Sequence, residues 1–227
     1  MNLVKYLILI LFFLIPFHLF SQVGIELSGN KNVYKSWNDV IYNYSGKESQ
    51  IFKYSYGGGI NYWFRLKNYR LEFTPGIYYM FSKFKFPESS CKFEYYSHVA
   101  GIEFDMNVYM FDFVGRNYKK DCPTFSHDGE WFKKSFFIQV SPGMFGAFRT
   151  VKKSVDNIDD FNIAGKFDFG LGLDFKITNH LLVAPVIKYG FYIGEKWNGF
   201  SAFHAERSYN DITAGNYINL VFNFYLK

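Results

Sequence analysis

Between residues 161 and 177 the chain reads FNIAGKFDFGLGLDFKI, and its odd positions hold Phe161, Ile163, Phe167, Phe169, Leu171, Leu173, Phe175 and Ile177, with Gly165 the one gap. The even positions hold Asn162, Ala164, Lys166, Asp168, Gly170, Gly172, Asp174 and Lys176. A strand sends successive side chains to opposite faces, so the stretch predicts a long strand with one apolar face and one face of charges and small residues.

The same division recurs along the chain. Residues 22–30 set Val23, Ile25 and Leu27 against Gly24, Glu26 and Ser28. Residues 51–66 set Phe52, Tyr54, Tyr56, Ile60, Tyr62, Phe64 and Leu66 against Lys53, Ser55, Asn61, Trp63 and Arg65. Beyond a turn at Lys67 and Asn68, Leu71, Phe73, Pro75, Ile77, Tyr79 and Phe81 oppose Arg70, Glu72, Thr74, Gly76 and Tyr78. Ile102, Phe104, Met106 and Val108 then oppose Glu103, Asp105 and Asn107, and Phe136, Ile138, Val140, Met144 and Phe148 oppose Gln139, Ser141, Gly143 and Arg149. Leu181, Val183, Pro185, Ile187 and Tyr189 oppose Ala184, Lys188 and Gly190, and the last strand sets Ile218, Leu220, Phe222 and Phe224 against Asn219 and Asn223. Polar stretches at residues 31–50 and 195–210 read as loops, and 114–134 reads as a longer irregular segment.

Eight strands result, several far longer than the ~5–6 residues usual in soluble sheets. A tilted strand crossing a bilayer needs ~9–11 residues, and a sheet that spans lipid must close on itself so that every backbone group is paired. The prediction is an all-β protein, an eight-stranded antiparallel up-and-down transmembrane β-barrel. The apolar face then meets lipid, with Phe104, Phe167, Phe169, Leu171, Leu173, Ile187 and Phe222 as lipid-facing anchors. The other face lines a narrow lumen. Glu26, Glu72, Glu103, Asp105, Asp168 and Asp174 would meet Lys53, Arg65, Arg70, Arg149, Lys166, Lys176 and Lys188 there, as a charge network that holds the barrel closed.

The N-terminus agrees with that destination. Lys5 precedes an apolar run from Tyr6 to Phe20, and Ser21 offers a small residue before Gln22. This is the pattern of a secretory signal peptide, so residues 1–21 are expected to be a signal peptide and 22–227 the barrel domain. Composition changes the picture little. Aromatics reach 23%, with 29 Phe and 19 Tyr, while the formal net charge of +5 is spread along the chain and suggests no nucleic-acid partner.

The signal peptide, the eight alternating segments and the aromatic terminal strand Phe222-Asn223-Phe224-Tyr225-Leu226-Lys227 resemble the small outer-membrane β-barrel family of Gram-negative bacteria, including its PorT-like members. The resemblance implies residence in the cell outer membrane, contact with outer-membrane lipid and with the barrel-assembly machinery, and a structural, adhesive or envelope-assembly role without catalysis. It also raises a place in a protein-secretion or envelope-assembly machine, or a lipid-modifying enzyme. Partners from the periplasm or envelope would dock at residues 114–134, where Arg116, Lys119, Lys120, Lys133 and Lys134 mix with Tyr118, Phe125, Trp131 and Phe132.

Catalytic chemistry has little to rest on. The best nucleophile–base set is His204 with Ser208 and Glu206, and His98 follows Ser97. No metal-ligand spacing occurs, and no cofactor, metal or catalytic residue is expected. With both termini in the periplasm, Cys91 and Cys122 fall at opposite ends of the barrel and are expected to remain separate thiols. A soluble lipid-binding barrel is the reading in which inside and outside exchange roles.

Overall fold

The computed structural model describes residues 22–66, 71–85, 94–110, 136–152, 157–178, 181–196 and 215–226. Their strands are β1 (Val23–Val33), β2 (Tyr54–Tyr62), β3 (Phe64–Arg65), β4 (Leu71–Lys85), β5 (Glu94–Val108), β6 (Phe136–Lys152), β7 (Asn157–Leu173), β8 (Phe175–Lys176), β9 (Leu181–Ile193) and β10 (Asn216–Leu226). β3 continues β2 past Trp63 and β8 continues β7 past Asp174, so ten strands make eight staves. All pairings are antiparallel, and β10 pairs with both β9 and β1, running from Gly24 opposite Tyr225 to Val33 opposite Asn216. The sheet therefore closes and has no free edge, as a sheet immersed in hydrocarbon requires.

Alternation decides which way each strand faces. On β1 the buried Gly24 and Glu26 flank the exposed Ile25, and Leu27 beyond them is exposed as well. Ile102 is 59% exposed and Ile187 61%, and both lie on the outward face of their strands. The anchors Phe104, Phe169, Leu171 and Phe222 are exposed on the same outer wall, with Phe167 and Leu173 half-buried among their neighbours. The interior instead takes polar and aromatic side chains, with small residues admitting large ones. A Cβ on Gly172 would lie 2.2 Å from the Phe137 ring, and one on Gly190 would lie 2.0 Å from Asp168 Oδ1.

Two expectations about local structure change. The polar stretch 31–50 is not a plain loop: β1 runs on to Val33, and helix α1 (Lys35–Ser45) follows. Tyr34, Trp37 and Ile41 recur at helical spacing and bury one face, and Gly46 ends the helix in the left-handed region at φ 67°, its N–H donating to Tyr42 O. Ile51 and Phe52 do not open a strand; a positive φ of 46° at Phe52 turns the chain, and both side chains pack under α1 with Tyr95 and Val151. The helix and this turn close the barrel mouth remote from the termini. No helix among the described residues is long and apolar enough to cross a membrane.

Candidate functional site: the buried charge network of the lumen

The interior is stacked in layers. Nearest the termini, Trp63, Phe137, Leu182, Val186, Val221 and Tyr225 form an apolar layer with Tyr109. Tyr109 Oη donates to Asp174 Oδ2 at 2.7 Å, Asn107 Nδ2 donates to Glu72 Oε1 at 3.1 Å, and Gln139 Nε2 donates to Asn107 Oδ1 at 2.7 Å.

The central layer holds the charges. Lys166 Nζ sits 2.5 Å from Glu103 Oε2 and 3.5 Å from Asp168 Oδ2, and lies 4.0 Å from the Tyr78 ring centroid. Lys188 Nζ sits 3.0 Å from Asp105 Oδ2 and 3.9 Å from Glu103 Oε1. Tyr217 Oη donates to Asp168. Glu26 enters from β1, and its carboxylate lies within 4.8 Å of those of Glu103 and Asp105. Four carboxyl groups thus share two ammonium groups, all buried. β5 lies three staves from β1, so the cluster ties together walls that are not adjacent in the sheet.

Three carboxylates this close are a donor set that spacing along the sequence does not reveal, because β1 and β5 bring them together. Their neighbours Lys166 and Lys188 already supply positive charge to that set. A buried ion of either sign is costly alone, and the ammonium groups offset that cost through short contacts.

At the far mouth, Arg149 forms a buried pair with Glu195 and lies 5.0 Å from the Trp37 ring centroid. Burial pushes the Glu195 carboxyl up, and the Arg149 guanidinium only partly offsets this. Between this plug and the charged layer lie Tyr78, Met80, Phe145, Ala147 and Ala164, with Tyr192 packed against them.

The lumen therefore brings together Glu26, Glu103, Asp105, Lys166, Asp168 and Lys188, with Glu72 and Asp174 in the layer below and Arg149 above. Lys176 departs from the expectation. It points to the lumen side by parity but is exposed, because it lies two residues past Asp174, where the stave emerges from the barrel. Lys53 departs as well: it is half-buried at the opposite rim, with Nζ 5.3 Å from the Tyr54 ring centroid, because the turn at Phe52 precedes entry into β2. The Arg65 side chain, Arg70, Cys91, Cys122, residues 1–21, the segment 114–134 and the His204, Glu206 and Ser208 set lie outside the described residues. Ser97 and His98 cannot form a dyad, since Ser97 is buried toward the lumen while His98 sits on the outer wall, 2.6 Å from Tyr79 Oη.

Sequence reasoning left Glu195 in a loop, and it placed Tyr217 and the interior asparagines on the polar faces without finding their partners. Asn61 and Asn223 sit on the polar face of their strands and meet at 3.1 Å, which alternation places correctly but does not pair.

A closed antiparallel cylinder, apolar outside and polar within, is the construction of an outer-membrane β-barrel, and the chain is of that class. Among solved structures it is similar to the N-terminal β-barrel domain of Pseudomonas aeruginosa OprF, with 14% identity, 89% of this chain and 95% of that one covered, and a TM-score of 0.43. It is also similar to Neisserial surface protein A, at 12% identity, 88% and 94% coverage and a TM-score of 0.40. Ail, the attachment invasion locus protein of Yersinia pestis, follows at 11% identity, 90% and 95% coverage and a TM-score of 0.37. Neither a family model nor a curated protein matches the sequence.

Proposed function

We propose that this barrel is a sealed, non-catalytic component of the outer membrane with a structural, adhesive or envelope-assembly role, acting through its ends and outer wall rather than through its lumen. The observation that carries the reading is the crosswise layer of Glu26, Glu103, Asp105, Lys166, Asp168 and Lys188, stacked between aromatic layers. One cavity in the lumen above that layer, lined by Asn30, Tyr78, Lys166 and Tyr217, measures about 20 Å³. An eight-stave barrel is narrow enough for its own side chains to fill it. Planar-bilayer recording tests this. The purified chain should insert without stepwise conductance, and reproducible discrete steps would contradict it.

A second reading makes the chain a PorT-like component of a secretion or envelope-assembly machine. It is favoured by the length of sequence between β5 and β6, from 109 to 135, at the end of the barrel that carries both termini. Barrels usually have short turns at that end. Co-purification of periplasmic or envelope proteins that depends on residues 114–134 would support it, and normal secretion after deletion of the gene would count against it.

A further inference from the structure

The outer wall of β4, β5 and β6 carries a groove and a charge cluster that the lumen network does not use. Along β4 the outward positions are Leu71, Phe73, Pro75, Ile77, Tyr79 and Phe81, followed by Lys83 and Lys85. At ~3.3 Å per residue and a tilt of ~40°, the stretch from 71 to 81 rises about 25 Å, the height of the apolar band of an outer-membrane barrel. Its middle, between Pro75 and Ile77, is an open groove of about 760 Å³. Ile60, Ile77, Ile102, Phe104 and Met144 line it, and Gly76 and Gly143 are part of its lining.

By the same arithmetic Lys83 stands about 18 Å above the middle of the band, just past a hydrocarbon half-thickness of ~15 Å. At that height two ammonium groups converge on one ring, and a third, that of Lys85, pairs with the carboxylate beside it. Lys83 Nζ lies 4.7 Å and Lys152 Nζ 4.9 Å from the Tyr96 ring centroid. Glu94 lies 3.1 Å from Lys83 Nζ and 3.0 Å from Lys85 Nζ, and it accepts from Tyr96 Oη at 2.5 Å. With Asp159, which accepts from Thr150 at 2.8 Å beside Tyr96, counted alongside Glu94, the three positive groups leave a surplus of one positive charge on an exposed wall at headgroup depth. Lys152 is the one of the three that Glu94 does not pair.

We propose that this wall binds a phosphate-bearing lipid of the leaflet at the plugged end, its phosphate on Lys83, Lys85 and Lys152 and one acyl chain lying down to the midplane groove. Charge complementarity selects the phosphate, and the apolar lining selects the chain. A second copy of the protein suits the wall less well. A two-fold contact centred on the groove would set one lysine cluster against its counterpart, a like-charge juxtaposition that disfavours association. The proposal rests on the membrane reading.

Native mass spectrometry of the folded barrel released from dodecyl maltoside micelles, titrated with bisphosphorylated lipid A, tests the site. One lipid should be retained per barrel. Affinity should fall at least tenfold with the dephosphorylated lipid and at least tenfold in the K83Q/K85Q/K152Q variant. Lys152→Gln alone, which leaves both Glu94 pairs in place, should lose about threefold, and Ile102→Trp, which fills the groove, should weaken binding with no change of charge. Equal binding of the dephosphorylated lipid, undiminished binding by the triple variant, displacement of the lipid by millimolar inorganic phosphate, or a dimer in place of a lipid adduct would each overturn the proposal. Heat-modifiable gel mobility is recorded for every variant. A wild-type chain that folds but binds no lipid sinks the site alone, whereas one that does not fold in detergent sinks the membrane reading with it.

Discussion

Lys188 shows how much one side chain in this lumen carries. It is fully buried, and its ammonium group lies between Asp105 and Glu103. Removing one partner of a buried pair leaves an uncompensated charge, which costs about 3–5 kcal/mol. Lys188→Ala should therefore lower the unfolding free energy of the barrel in vesicles by that amount, and adding Asp105→Asn should restore part of it; a loss under ~1 kcal/mol would mean that the cluster is wetter than its burial implies. On the opposite face the expected penalty depends on depth. Phe167 lies near the middle of the outward apolar run of β7, which extends from Phe161 to Leu173. Phe167→Arg should cost about 2–4 kcal/mol on insertion, and Leu171→Arg, nearer the end of that run, should cost less. Urea titrations of the two variants refolded into vesicles would decide this, and equal or reversed costs would contradict the placement of the band.

At the scale of elements, α1 and its plug are where alternation stops being informative. Residues 31–50 are rich in polar side chains, so their composition suggests a loop, yet Tyr34, Trp37 and Ile41 keep a helical spacing that a shorter-range reading finds. The partner of Arg149 was hidden for a different reason. Glu195 is far away in sequence and becomes its neighbour only when β6 and β9 stand in one closed wall. This pair gives the plug a pH dependence. Burial raises the Glu195 carboxyl above the ordinary carboxylate value, so the folded state holds that proton more tightly than the unfolded chain does. The stability contributed by this proton is fully present below the ordinary glutamate range and is lost as pH rises through the raised value. Limited proteolysis of the segment between β1 and β2 should accordingly speed up from acid toward neutral pH. Glu195→Gln should flatten the profile, and an unchanged slope in that variant would assign the effect to another group.

For the whole molecule, the sequence pattern already implied a closed barrel because a period of two repeated over eight segments has one economical solution in lipid. The Phe/Leu face of residues 161–177 has no core to enter, and Ile163, Phe169 and Leu171 stand exposed on the outer wall. What alternation could not supply was which lumen charges meet. Glu26, Glu103 and Lys188 are brought together by strand order and register, not by spacing, and the exposed Lys176 shows that parity fails where a stave leaves the cylinder. The central claim is that the apolar face meets lipid. Membrane fractionation followed by a gel run with and without boiling tests it most directly. The chain should remain in the outer-membrane fraction, require detergent for extraction, and migrate differently when unboiled; recovery in the periplasmic extract as a detergent-free species would contradict the account.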